Sequence, residues 1–340
     1  MKELIQLQKV IYPDLLKVMH KRYTILYTIY LFETIGRRGI VDHTKMPERY
    51  VRNEMEHLQE QGLIQVTTKG MVITEEGKSI IEQLHAFIRE LSGLTTLEAK
   101  LEQMMDVEKV IIVAGDSDKE TFVKQELGRA AVAFLKEIIK KDVTIAVTGG
   151  TTMASVANAM VPLNVKCLFV PARGGVGEKV ENQANTIVAK MAKAEKGDYR
   201  LLHVPDPLSE TLYQTIINEP SIAETLSYIK NASIVLHGIG EALAMAERRK
   251  TDDHIVEKLT SEKAVSEAFG YYFNREGEIV HKVRTIGIQL EDLASTDYVI
   301  TVAGGKSKAQ AIASFMKQRK NDVLITDEAA ATEIVNQYLI

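Results

Sequence analysis

The chain is predicted to be an α/β protein in two parts. A winged helix-turn-helix domain is expected over residues 1–92, and a doubly wound domain with a mixed or parallel sheet over residues 93–340. Three observations carry this. The first ninety residues read as short helices closed by one small hairpin. From Gly93 onward, apolar runs alternate with helical stretches, as strands covered on both faces do. Two of those runs end alike, over residues 144–157 and 299–313: an apolar strand, a Gly-Gly turn, hydroxyl or lysine side chains, then an alanine-rich helix.

In order along the chain, Met1 to Leu4 open an amphipathic helical pattern in which no signal peptide is expected. Leu15, Val18 and Met19 begin an apolar stripe that continues through Ile25, Leu26, Ile29, Leu31 and Phe32, with Gly36 as its stop. Arg37 to Lys45 is a shorter helix. Pro47 is expected in the first turn of a third helix, whose buried side is Val51, Met55 and Leu58 and whose end is Gly62. Residues 63–67 and 71–74, joined by Thr68-Lys69-Gly70, read as a hairpin. Ile81, Leu84, Ile88 and Leu91 then form a stripe suited to a partner helix. Thr95 to Glu98 resembles a capping box. Strands are expected at 110–114, 144–147, 168–170, 201–204, 234–237, 298–302 and 323–325, with helices over 122–139 and from Asn185 to Lys193.

Composition sets the class. With 45% hydrophobic and 26% charged residues the chain is an ordinary soluble globular protein, and 340 residues suffice for two domains. A formal net charge of −4 gives no global sign of nucleic-acid binding, so any such signal must be local. The single cysteine, Cys167, sits in an apolar run, which suits a buried thiol in a reducing cytoplasm. No apolar run approaches the ~20 residues of a membrane span.

The local signals fall in two places. On the third helix, Arg49, Tyr50, Arg52 and Asn53 are side chains of the kind that meet phosphates and base edges in a major groove. Arg37, Arg38 and Lys45 would clamp the backbone, with Lys69 at the wing tip. In the large domain, glycine turns gather at the carboxyl ends of the strands, where such sheets bind ligands. A strand turning through glycine into a helix directs N–H groups at an anion, although a Gly-Gly pair also serves as a plain tight turn. The candidates are Gly149, Gly150, Thr151 and Thr152, the turn Arg173-Gly174-Gly175, Gln183, Arg248, Glu267, and Gly304 and Gly305 with Lys308. The turn 237–241 ends a further strand. Arg248-Arg249-Lys250 reads more readily as a solvated face. Asp327, Glu328, His237 and His281 offer acids and bases, yet no nucleophile–base spacing, metal signature or cofactor motif accompanies them. No catalytic residue, metal ligand or cofactor is therefore expected. Asp327 is read as a helix cap and His237 as a satisfied strand-end histidine.

Five segments together resemble the sugar-binding domain of SorC-type (SorC/DeoR) transcriptional regulators: Val147-Thr148-Gly149-Gly150-Thr151-Thr152, residues 170–175, Asn182-Gln183-Ala184-Asn185-Thr186, residues 267–274, and Val302-Ala303-Gly304-Gly305. The resemblance covers essentially the whole chain, including Ile35-Gly36-Arg37-Arg38. It implies a repressor of an operon for the triose-phosphate part of glycolysis, induced by fructose 1,6-bisphosphate. The implied effector domain is similar to the glucosamine-6-phosphate deaminase and ribose-5-phosphate isomerase folds, without their activity. It implies a phosphate held by Thr151, Thr152, Lys308 and the Gly-Gly turns, with Arg173 and Arg248 as further cations and Gln183 and Glu267 on the sugar. Lys306 competes with Lys308 for the phosphate. Operator DNA and the phosphorylated sugar are the expected partners of a homodimer or homotetramer. A sugar-monophosphate sensor, or an isomerase or deaminase fused to a DNA-binding domain, is the alternative.

Overall fold

Apolar spacing and end signals account for the elements of both parts of the chain, seen here in a computed structural model that describes residues 2–175, 179–205, 208–318 and 322–337. The chain divides into two units, Met1–Thr96 and Leu97–Ile340. In the first, helices α1 (Lys2–Ile11), α2 (Pro13–Phe32), α3 (Arg37–Thr44) and α4 (Glu48–Glu60) precede a hairpin of β1 (Ile64–Thr67) and β2 (Gly70–Ile73), and α5 (Glu75–Leu91) follows. The hairpin is in register from Ile64↔Ile73 to Thr67↔Gly70. Thr74 caps α5 by accepting from the Gly77 N–H at 3.0 Å.

Several expectations are corrected here. Gly36 does not stop α2, which ends at Phe32; it is the N-cap of α3. Pro47 precedes α4 as its N-cap. The Ile81–Leu91 stripe does not await a partner helix. Ile81 and Ile88 are buried in the core of their own unit, with Leu84 and Leu91 packed beside them.

The second unit begins with α6 (Leu94–Met105), whose first residues belong to the first unit. Strand β3 (Lys109–Val113) and helix α7 (Thr121–Ile138) follow, then β4 (Val143–Val147), α8 (Thr151–Ala159), β5 (Cys167–Pro171), α9 (Ala184–Glu195) and the short β6 (Asp198–Tyr199). Next come α10 (Glu210–Ile216), α11 (Pro220–Lys230), β7 (Ile234–His237), β8 (Gly240–Glu241), α12 (Ala242–Arg248) and α13 (Asp253–Ser261). Strands β9 (Ser266–Ala268), β10 (Tyr271–Phe273), β11 (Ile279–Lys282) and β12 (Tyr298–Val302) lead to α14 (Ala309–Phe315), β13 (Val323–Asp327) and α15 (Glu328–Gln337).

Seven strands pair in parallel in the order β3-β13-β12-β7-β4-β5-β6. The sheet is doubly wound: on one face Ile145, Phe169, Leu236 and Ile300 form a core with α7, α8 and α9, and the alternating Ile112, Val170, Val235 and Leu324 are buried on the other. A separate antiparallel sheet, β11-β10-β9-β8, was not anticipated; it carries Glu267 on a strand.

Two further corrections have side-chain causes. Residues 201–204 form no strand, because Asn185 occupies the Leu202 backbone: its Oδ1 accepts from the N–H at 3.0 Å and its Nδ2 donates to the carbonyl at 3.1 Å. The sequence 95–98 is no capping box, since α6 has already begun at Leu94. Glu98 instead accepts from the Ile112 N–H at 2.7 Å, and Glu102 from the Val110 N–H at 2.9 Å. Both carboxylates thus satisfy donors of β3, the edge strand of the large sheet.

Candidate ligand site and nucleic-acid interface

The first Gly-Gly turn carries the chain from β4 into α8 and opens a cavity of about 410 Å³. Its shape demands glycine twice. Gly150 sits at φ +113°, and a Cβ on Gly149 would lie 2.8 Å from the Asn182 carbonyl oxygen. That close approach is held by the Gly150 N–H, which donates to Asn182 O at 2.8 Å. The first bond of α8 runs from the Ala154 N–H to Gly150 O at 2.9 Å. The amides of Thr151, Thr152 and Met153 come before it, so they point out of the helix end at the cavity they line.

Around this helix end the fold gathers residues distant in sequence. Arg173 follows β5, Gln183 opens α9, Arg248 closes α12 and Glu267 lies on β9. Lys308 precedes α14. All line the cavity, as does Gly174. Among the described lining residues are four cations, Arg173, Arg248, Arg249 and Lys308, against two carboxylates, Glu241 and Glu267. Glu241 is committed to its own helix, accepting from the Leu243 and Ala244 N–H groups at 3.2 and 2.7 Å. The wall is therefore net positive.

Lys308 and Lys306 separate cleanly. Lys306 turns to Glu333, 3.2 Å away, whereas the Lys308 ammonium faces the cavity and donates to the Ile239 carbonyl at 3.0 Å. Burial, reinforced by nearby Lys124 and Arg248, holds the Lys308 pKa below its ordinary value of 10.5. An anion beside it would relieve that.

Glu267 is the opposite case. Burial pushes its carboxyl up, but Arg249 and Arg173, with the Gly270 N–H, outweigh this and hold it below its usual value. Its Oε1 accepts from Arg249 Nη2 at 2.6 Å, Gly270 N at 2.7 Å and Arg173 Nη1 at 3.3 Å. Arg249 is thus no solvated-face residue: its side chain is 2% exposed and it also donates to the Tyr272 hydroxyl at 3.0 Å. Sequence reasoning missed it because the run Arg248-Arg249-Lys250 has no periodic signal to tell buried from exposed cations.

The second Gly-Gly turn is a correction. Neither Gly304 nor Gly305 lines the cavity, because a side chain of the protein already sits in that turn. Asp327 Oδ2 accepts from the Gly305 N–H at 2.6 Å and the Ser117 N–H at 2.9 Å, while Asp118 takes the Ser307 N–H at 2.8 Å. A Cβ on Gly304 would lie 2.5 Å from Asp327 Oδ2. Gly175 is likewise outside the lining; its N–H donates to the Val204 carbonyl at 3.0 Å.

Two of the four candidate acids and bases, Asp327 and His237, are held by structural bonds. Asp327 completes its bonding by capping α15, accepting from the Ala330 N–H at 2.9 Å. His237 is fully buried, with Nε2 2.8 Å from Thr301 Oγ1 and Nδ1 3.1 Å from the Gly238 carbonyl. No cluster of described residues could hold a metal ion.

In the first unit, α4 is the helix that would enter a groove. Val51, Glu54 and Leu58 are buried, and Arg49, Arg52 and Asn53 are exposed. Arg38, Lys45 and Lys69 are exposed too, Lys69 in the hairpin turn. Arg37 is paired to Glu48 at 3.1 Å, and Arg52 is 4.0 Å from Glu56. Tyr50 is a correction: it packs on the domain core with Lys21 5.3 Å above its ring, and burial followed by Glu54 raises its pKa. It supports the helix from beneath. Sequence reading also missed Glu54, which is buried on α4 and bound to Arg22 of α2 at 2.6 Å.

Comparison with known proteins defines the class first. Residues 89–336 match the family model "Putative sugar-binding domain", and residues 18–88 match "CggR N-terminal DNA binding domain". A DNA-binding domain joined to a sugar-binding domain makes a transcriptional regulator, not an enzyme. The chain belongs to the central glycolytic genes regulators of the SorC family. It is 51% identical to the "Central glycolytic genes regulator" of Priestia megaterium, over 99% of this chain and 100% of that one. It is 49% identical to the Bacillus subtilis protein of the same name, over 98% and 99%. A solved structure described as the "putative SorC family transcriptional regulator from Enterococcus faecalis" superposes with TM-score 0.68 at 46% identity, covering 71% of this chain and all of that one. The full-length sorbitol operon regulator SorC of Klebsiella pneumoniae, at 17% identity and TM-score 0.67 over 89% of this chain and 94% of its own, shares the fold. No helix among the described residues is long and apolar enough to cross a membrane.

Proposed function

We propose that this chain is a repressor of genes of the triose-phosphate part of glycolysis, and that fructose 1,6-bisphosphate in the large-domain cavity releases it from operator DNA. The observation that carries the reading is the cavity wall: an open helix end, the buried Lys308 ammonium, and three arginines against two carboxylates. Such a wall suits a ligand with more than one phosphate. In this reading the α8 amides, Thr151, Thr152 and Lys308 hold one phosphate, and Arg173 and Arg248 provide for the other. Gln183 and Glu267 face the sugar. Arg49, Arg52 and Asn53 read the operator, with Arg37, Arg38, Lys45 and Lys69 on phosphates, in a cytoplasmic homodimer or homotetramer.

By linkage, the sugar must bind the DNA-free form more tightly, by ~1–3 kcal/mol for a typical coupling. A gel shift on the DNA upstream of the regulated operon tests this. Retardation should weaken as fructose 1,6-bisphosphate is added; retardation unchanged at millimolar sugar overturns the reading.

One observation favours a second effector class. Of the two Gly-Gly turns that lead from a strand into a helix, 149–150 and 304–305, the first lines the cavity and the second does not, so one helix-end cradle is open there and a sugar monophosphate or dihydroxyacetone phosphate would fill it. Thermal shifts at equal ligand concentration rank the candidates, since the tightest ligand of the folded state raises Tm most.

A further inference from the structure

A carboxylate in a phosphate-binding cavity is a liability unless it is there to select something, and Glu267 is held too firmly to be incidental. Three donors converge on its Oε1: Gly270 N–H, Arg249 and Arg173. Its Oε2 accepts from none of the described residues. Gly240 lies on that side, and even a Cβ there would come no closer than 3.6 Å to Oε2. The side chain is only 6% exposed. An ionised carboxylate carries about four acceptor positions and no donor. One oxygen is therefore engaged by the protein, and the other is left for a donor from a ligand or from the water that ligand displaces. Directly beside Oε2 a phosphate oxygen would meet like charge with no donor between them, whereas a hydroxyl supplies the donor.

What fixes the orientation is Arg249. Its Nη2 makes the shortest of the three bonds to Oε1, and its Nη1 is held by the Tyr272 hydroxyl at 3.0 Å. Tyr272 pairs directly with Glu267 across β10 and β9, so arginine, phenol and carboxylate are locked by one strand register. We propose that Arg249 is a positioning residue that reserves Glu267 Oε2 for a ligand hydroxyl, so that the sensor selects phosphates carried on a hydroxylated chain over phosphates carried on an alkyl chain. This rests on the reading of the cavity as a sugar-phosphate site and adds to it the source of selectivity.

The test compares two ligands of similar length and charge, fructose 1,6-bisphosphate and hexane-1,6-diol bisphosphate, on the full chain by calorimetry. The readout is the ratio of their dissociation constants. Tyr272→Phe removes the phenol that holds Arg249 without changing any charge, and Arg249→Lys keeps the charge but loses the fork. In wild type the sugar should bind about tenfold or more tightly than the alkyl compound, the range of a hydrogen bond to a charged group. Both variants should pull the ratio toward one, with Arg249→Lys the larger effect. The melting temperature of each ligand-free variant, read apart from either ligand, serves as the folding control. A variant that loses both ligands in equal proportion, or keeps the wild-type ratio, overturns the positioning role. Should wild type bind neither compound, the sugar-phosphate reading itself fails, and that outcome is distinguishable from the other two.

Discussion

Lys308 concentrates the residue-scale chemistry. Its ammonium is buried beside other cations, so the free protein holds it at a cost that a bound phosphate would offset. Lys308→Met should therefore weaken fructose 1,6-bisphosphate binding about 10- to 100-fold by calorimetry, while the ligand-free protein still retards DNA. The pH dependence follows from the same shift. The pKa lies below 10.5 in the free protein and rises beside a phosphate, so the complex binds more protons between those two values. Affinity should fall as pH rises through that window, with proton uptake visible as a dependence of the binding heat on buffer ionisation enthalpy. Affinity that rises with pH there would remove Lys308 from the phosphate. Lys306, two positions earlier, should do nothing comparable, because Glu333 already holds it. The sequence shows two lysines after a glycine pair; only the turn geometry, with residues 306–308 coiled as one 3-10 turn, decides which faces in.

At the scale of elements, the binding of DNA is divided, on the proposed reading, between α4 and the hairpin. The buried Val51 and Leu58 set the inward face, which leaves Arg49 and Asn53 on consecutive turns facing outward. Lys69 is exposed at the hairpin tip, and on the proposed reading it meets the phosphate backbone. Arg49→Ala should lower operator affinity and relax preference at one base position, a loss of ~1–3 kcal/mol. Lys69→Ala should weaken binding to all sequences alike and lower the slope of log K against log salt by about one. Equal effects of both on specific and random DNA in a filter or gel assay would remove α4 from base reading. The helices and the hairpin themselves were legible in the sequence, because such elements announce themselves by period and turn residues. Tyr50 was not: an aromatic among arginines looks like a contact residue until the Val51–Leu58 face shows it leaning on the core. The four-stranded sheet carrying Glu267 was missed for a related reason. Its strands are of two to four residues, too short for alternation to register.

At the scale of the molecule, two compact units are joined near residue 96, and the proposed signal from sugar to DNA would travel as a coupling free energy between them. The general build was readable because alternating strands and helices, a hairpin after three helices and repeated glycine turns each have a physical signature. The occupancy of the second turn was not readable, since Asp327 reaches it from another strand and only folding brings the two together. One feature bears on any attempt to handle the large unit alone. The β3 edge of its seven-stranded sheet is closed by Glu98 and Glu102 on α6, not by another strand. Where the gene is cut therefore decides whether a fragment stays in solution. A piece starting at Leu94 keeps both glutamates and should be monodisperse or a defined oligomer by light scattering. One starting at Asp106 bares the N–H groups of β3 and should scatter as a growing aggregate at the same concentration. Equal behaviour of the two pieces would mean that the margin of the sheet needs no such guard.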